Sequence, residues 1–458
     1  MLLRFRCKNF RSIREEQEIS LVAAKTRTDE KSESLIGTPF EDLKLLRCVA
    51  IYGANASGKS NVLAALSAFS QIVSQSQRLW KPNGPIPAYA PFLLDETSRN
   101  GDTELEVRFL VDSAIYRYGF RFDKTTIRDE WLTDTTNRDK VLFRRTTEGA
   151  KTRVSFPNKN LGKTLEESRH LEGIRLDVRP NSLFLSASAQ RNHPILSRIC
   201  AYLSDGLEAI RGQDIPGLMA RTAAMCSEGS RREQIAKMME FADTGINGLA
   251  VSSQEVPDGV KRPILALFSA LKEEHIEDFS RIWPDGFTVP PDFEIRMTHQ
   301  GVGARPYQLE ASQESDGTIA YFSILGPLLD VLKDGRVLLI DELESSLHPA
   351  LARELVRVFN SPDLNPKGAQ IIFTTHSTTL LDLELLRRDQ IWFTEKSRDG
   401  ATRLYPLSDY QPRTNQNIEA GYLGGRFGAI PFLDGQLLRE SLIPSEPTQA
   451  SLQFSGEV

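Results

Sequence analysis

The chain has 458 residues, of which 40% are hydrophobic and 26% charged, and its formal net charge is −5. These values describe a globular polypeptide long enough for two or three domains, and they exclude a global polycation built to hold nucleic acid. Four cysteines, Cys7, Cys48, Cys200 and Cys226, lie far apart with no C-x-x-C spacing. Neither a zinc site nor a disulfide framework is expected, which fits a reducing cytoplasm. The opening MLLRFRCKNFRS is charged, and no stretch approaches the roughly 20 apolar residues of a membrane span. A cytoplasmic protein without a membrane partner is therefore expected.

In chain order, LLRFRCKNF reads as an opening strand. LLRCVAIYGAN is an apolar run entering a glycine turn. In the following SNVLAALSAFSQIV, Val62, Leu63, Leu66, Phe69, Ile72 and Val73 recur at helical spacing. Over residues 104–132, ELEVRFLV and AIYRYGFRF alternate apolar and polar positions. They predict antiparallel strands joined by the turn VDSA. Residues 155–300 change to mixed helical segments, among them HPILSRICAYLSDGLEAI and REQIAKMMEFADTGI, without sustained heptads. Strand and helix alternate again over 301–396. The last stretch ends in a polar tail, SEPTQASLQFSGEV.

Three motifs carry chemistry. GANASGKS matches G-x-x-x-x-G-K-S, the phosphate-wrapping loop, in the strand–loop–helix setting that loop requires. Gly53 and Gly58 let backbone N–H groups point at phosphate oxygens. Lys59 supplies a cation and Ser60 a hydroxyl for Mg²⁺, with ATP as the expected nucleotide. Asn55, Ala56, Ser57 and Asn61 complete the expected nucleotide-binding set. In GRVLLIDELESSLHP, four apolar residues, Val337 to Ile340, end in Asp341-Glu342. The first acid suits a magnesium ion, and the second can polarise the water that attacks the γ-phosphate. The third motif, IIFTTHS, ends a strand-like run at His376, whose imidazole can reach a γ-phosphate. A strand-end histidine without a role would look the same in isolation.

Residues 60–340 separate Lys59 from Asp341, so a whole subdomain interrupts the nucleotide-binding sheet. That split resembles the ABC-type ATPases of the SMC, RecF and OLD group. The resemblance implies an α/β fold: an ABC-type P-loop NTPase head split by a helical insertion, with an antiparallel β lobe. Residues 1–155 would form the N-terminal half of the head and 156–300 the insertion. Residues 301–400 would form the C-terminal half and 401–458 an extension. In LEASQESDGTIAYFSILGPLLDVL, Ser315, Asp316 and Gly317 stand where the group has its signature motif, opening a helix that faces the nucleotide of a second subunit. A simple N-capped helix would also explain Ser315. CKNFRSI is similar to the opening strand of SMC-like heads and places Arg11 and Ser12 beside the nucleotide. LESSLHP resembles the D-loop of the RecF and OLD group, with Ser346 and His348 near a dimer interface. QIWFTEK and YLGGRFGAIPFL resemble small bacterial ATPases described simply as AAA proteins.

Two departures stand out. No glutamine occurs between Gln77 and Gln190, where a Q-loop residue is expected. The acids Asp382 and Glu384, in LLDLELL, read as exposed positions of a helix rather than as a nuclease centre. The resemblance thus implies an OLD-like ATPase without its own nuclease: a homodimer or higher oligomer, closed by Mg-ATP, that regulates an effector such as a nuclease in bacterial anti-phage defence. Glu342 and His376 are its expected catalytic residues, with Ser60 and Asp341 as metal ligands. A RecF-like repair ATPase that binds DNA is the alternative, and a nuclease with acids in the insertion is a third reading.

Overall fold

The computed structural model describes residues 1–24, 34–149, 151–157, 161, 165–256, 258–273, 292–345, 347–412, 416–431, 439, 441 and 442. The tail SEPTQASLQFSGEV and Ser346 lie outside them. Cys48–Gly53 is buried at all six positions, as are Val337–Ile340 and Gln370–Thr374. Continuous burial marks strands covered on both faces, the condition of a parallel sheet. The three are neighbours in a six-stranded sheet ordered Leu207–Ile210, Val337–Ile340, Gln370–Thr374, Cys48–Gly53, Ile391–Lys396, Thr402–Pro406. Every adjacent pair is parallel except the last. Ile340 pairs with Phe373, and Phe373 with Ala50, so the carboxyl ends of the three strands reach one edge in register.

A second, seven-stranded antiparallel sheet includes Leu2–Lys8, Thr103–Val111 and Ala114–Phe122. The turn expected at VDSA is there: Asp112 and Ser113 both adopt positive φ, 50° and 60°, which matches the right-handed twist of a two-residue hairpin. The helix Lys59–Gln75 joins the two sheets. Its Phe69 stacks on Phe120 with ring centroids 5.3 Å apart and meets Phe5 and Tyr118 edge-on, at 6.5 and 6.0 Å. One apolar cluster therefore runs from the antiparallel sheet to the face of the parallel one. The opposite face packs Tyr52 and Phe393 against Tyr422, and Phe393 against Phe427.

The segment 156–300 is not purely helical. Helices Pro194–Asp205 and Gly229–Phe241 form as the periodicity predicts. Between them Leu207–Ile210 becomes the edge strand of the parallel sheet, paired with Val337–Ile340. Gly206 ends the preceding helix, and four residues suffice to close the sheet edge. Asp292–Gln300 pairs with Ile246–Gln254 on one side and Pro306–Glu310 on the other in a third sheet of three strands. The parallel sheet also continues beyond residue 400 through Thr402–Pro406. LLDLELL forms turns instead of a helix: Leu385 and Leu386 are buried, and the Asp382 backbone carbonyl accepts both of their N–H groups.

Candidate nucleotide site

The phosphate loop leaves the carboxyl end of Cys48–Gly53 and enters the helix Lys59–Gln75. Two glycines make its path possible. Gly53 has φ 158° and Gly58 has φ 106°; a Cβ at Gly53 would collide with Thr394, and one at Gly58 with Thr402. Those threonines form the back wall of the loop. Ser57 Oγ lies 2.6 Å from Thr394 Oγ1, and Thr402 Oγ1 donates to the Ser57 carbonyl at 2.8 Å. Ser12 Oγ sits 2.7 Å from Thr402 Oγ1 and accepts from Asn61 Nδ2 at 2.6 Å, while Arg11 reaches Asn61 Oδ1 at 3.5 Å. Arg11 and Ser12 are thus brought to the loop. Asn55, Ala56 and Ser60 are exposed.

Lys59 is only 6% exposed, and its Nζ donates to the carbonyls of Gly53 and Ala54 at 2.9 and 3.2 Å. Burial pushes its ammonium below the ordinary lysine value, while Glu342, Glu344 and Asp341 pull it back up. The acid pair therefore shares one electrostatic neighbourhood with the loop lysine. Thr374 is the clasp between the acid strand and the histidine strand: its hydroxyl donates to Asp341 Oδ1 at 2.7 Å and accepts the Glu342 N–H at 2.7 Å. Leu343 N–H donates to the Thr374 carbonyl at 3.0 Å. Glu342 itself has φ 55°, a left-handed conformation that costs a non-glycine residue roughly 1–3 kcal/mol. Ala56 in the loop and Arg11 beside it share that feature, at 61° and 48°. Three of the eleven non-glycine residues with positive φ among the described residues thus lie at this edge.

His376 is exposed, and its backbone N–H donates to Glu344 Oε1. Glu344, Thr374, Thr394 and Thr402 were not singled out from sequence. Three of them stand in quoted motifs, in DELESS, TTHS and QIWFTEK, but nothing local distinguishes their roles. Ser315, Asp316 and Gly317 are exposed at the start of the helix Asp316–Asp334, where Ser315 Oγ caps the Thr318 N–H at 3.1 Å. Among the described residues no hydrogen bond or ion pair joins them to the loop. His348 caps the helix Pro349–Asn360 through Ala350 N–H at 3.2 Å.

The donor set suits Mg²⁺ delivered with a nucleotide. Ser60 and Asp341 offer hard oxygen donors, and the described residues hold no group of three His, Cys, Asp or Glu side chains that would cage a metal alone. No helix among the described residues is long and apolar enough to cross a membrane.

A glycine-rich loop on a parallel strand, with a lysine facing two carboxylates at the same sheet edge, defines a phosphate-loop nucleotide-binding protein. The family described as "AAA domain, putative AbiEii toxin, Type IV TA system" matches residues 48–198 and 302–382, just over half of the chain, and the chain belongs to it. It is an AAA-type ATPase family member. A comparison with curated proteins finds no match. Among solved structures, an SMC head bound to the C-winged helix domain of ScpA is 11% identical, covers 90% of this chain and 99% of its own, and has a TM-score of 0.36. A second, an SMC head domain with an extended coiled coil bound to the C-terminal domain of ScpA from Pyrococcus furiosus, is 12% identical over 90% and 97%, with a TM-score of 0.35. Those scores are too low to equate the folds.

Proposed function

We propose that the protein binds and hydrolyses Mg-ATP and uses the nucleotide to close two copies of itself. The observation that carries this reading is the Lys59 ammonium lying within electrostatic reach of Asp341, Glu342 and Glu344 at the carboxyl edge of three parallel strands. The loop N–H groups and Lys59 bind the phosphates, Ser60 and Asp341 hold the metal, and Glu342 takes the proton from the attacking water. His376 orients the γ-phosphate. When bound, the metal neutralises charge that develops on the phosphate oxygens.

The exposed Ser315–Gly317 turn has no partner in the same chain's loop, and this supports a site completed by a second copy. Two states then differ by nucleotide, and the cycle acts as a switch on an effector such as a nuclease in anti-phage defence. On the outer face of the antiparallel sheet several arginines meet acids, while Arg108 stands in register between Arg4 and Arg117. Arg4 meets Glu18 at 3.1 Å, Arg117 meets Asp139 at 3.5 Å, and Arg121 meets Asp102 at 3.5 Å. The chain's net charge of −5 favours a protein switch over the DNA-repair reading.

The test is particle size by sedimentation. Glu342→Gln with Mg-ATP should sediment as a dimer, whereas Lys59→Ala should not change with nucleotide. A Glu342→Gln protein that sediments identically with and without ATP would sink the dimer switch.

A further inference from the structure

Within the ATPase reading, one carboxylate at the phosphate edge has no assigned task. Glu344 stands two residues after the general base candidate. Its Oε1 accepts the backbone N–H of His376, across from the acid loop to the histidine loop. Its Oε2 is buried with no hydrogen-bond partner among the described residues. Nearby, the Tyr52 hydroxyl on the loop strand is likewise buried without a partner, and the Glu344 charge acts on both Tyr52 and Lys59. Burying a carboxylate oxygen unpaired costs free energy, so this position is not an indifferent surface acid.

The bonding pattern gives Glu344 a specific lever. Thr374 anchors the acid loop upstream of Glu344, through Asp341 and the Glu342 N–H. Beyond Thr374 the chain leaves the sheet, and His376 itself is exposed. Among the described residues the His376 backbone makes one hydrogen bond, its N–H donating to Glu344 Oε1. We propose that Glu344 is the positioning residue for His376. It holds the histidine in register with Glu342, so that the two loops present base and imidazole to the phosphate together. The inference rests on the ATPase reading but adds to it a regulatory coupling between the loops, because any shift of the acid loop moves the histidine.

The experiment compares Glu344→Ala, Glu344→Gln, His376→Ala and the double variant Glu344→Ala/His376→Ala. ATP hydrolysis, ATP affinity and thermal melting are measured on the full chain. Glu344→Gln keeps an acceptor oxygen for the His376 N–H, whereas alanine removes it. The expected result is a kcat loss of about 10- to 100-fold for Glu344→Ala, since misplacement of a reacting group by about 1 Å costs on that scale. ATP affinity should be unchanged, and Glu344→Gln should recover most of the rate. In the His376→Ala background Glu344→Ala should cost little more, because residues acting as one unit are not additive. Losses that multiply, or a glutamine variant as slow as alanine, would overturn the proposal. If alanine proves unfolded by melting, the glutamine variant and the His376 double comparison with Glu344→Gln carry the same decision. Lys59→Ala run in parallel separates the two levels: if it hydrolyses ATP like the parent, the ATPase reading fails rather than the positioning role.

Discussion

Two of the buried cations among the described residues, Arg145 and Lys59, sit near carboxylates and are built to opposite ends. Arg145 and Glu130, on the antiparallel sheet, are both 0% exposed and 3.5 Å apart. Glu130 also accepts the Phe184 and Leu185 N–H groups at 2.7 and 2.9 Å and the Tyr118 hydroxyl at 2.9 Å. Arg145 donates to the carbonyls of Ser182, Arg179 and Pro180. Arg179 in turn donates to carbonyls of Ser76, Gln77 and Trp80, at and just past the end of the phosphate-loop helix. One basic group meets one acid, and backbone groups take up both. At the phosphate edge Lys59 faces three acids, all on the exposed or half-exposed loop after Ile340, and its own donors turn back onto loop carbonyls. A closed pair whose polar atoms are nearly all taken up, Arg145 Nε being the exception among the described residues, serves the fold. An open, unbalanced set with strained backbone is what a charged ligand and its cation would complete.

Substitutions can break that contrast. The largest effect is expected from Glu342→Gln, which removes the base: kcat should fall by roughly 10²- to 10⁴-fold with ATP still bound, read by single-turnover hydrolysis. Lys59→Ala should lower kcat/KM by roughly 10²- to 10³-fold while the melting temperature holds, because it removes a phosphate donor and no packing element. Glu130→Ala should do the reverse. It strands Arg145 in the core and should cost about 3–5 kcal/mol of stability in denaturant unfolding. Gly58→Ala is the smallest of the four, about 1–3 kcal/mol for a side chain at φ 106° against Thr402, with ATP binding weakened alongside stability. If Lys59→Ala unfolds the chain and Glu130→Ala leaves stability intact, the division into ligand site and structural hub is wrong.

Much of the phosphate edge was legible because its parts are local. The loop residues Gly53 to Asn61, the acids after Val337–Ile340 and the histidine after IIFTT each announce themselves within a dozen residues. The hairpin over residues 103–122 was legible for the same reason, since alternation and a two-residue turn are neighbours in sequence. Leu207–Ile210 was not. Four residues after a helix carry no period, and their partner strand begins at Val337. Thr394 and Thr402 support the loop from more than 300 positions away, through the close approach of Gly53 and Gly58. Only the folded sheet brings them there. Glu344 is a similar case: its spacing from Glu342 is visible, but the N–H it accepts lies past the end of a different strand.

The most direct test of the nucleotide site is equilibrium binding of ATP with Mg²⁺ to the parent, Lys59→Ala and Glu342→Gln, followed by release of phosphate from the same samples. The parent should bind and release phosphate, Glu342→Gln should bind and retain ATP, and Lys59→Ala should do neither. Equal binding and equal phosphate release by all three proteins would contradict the assignment.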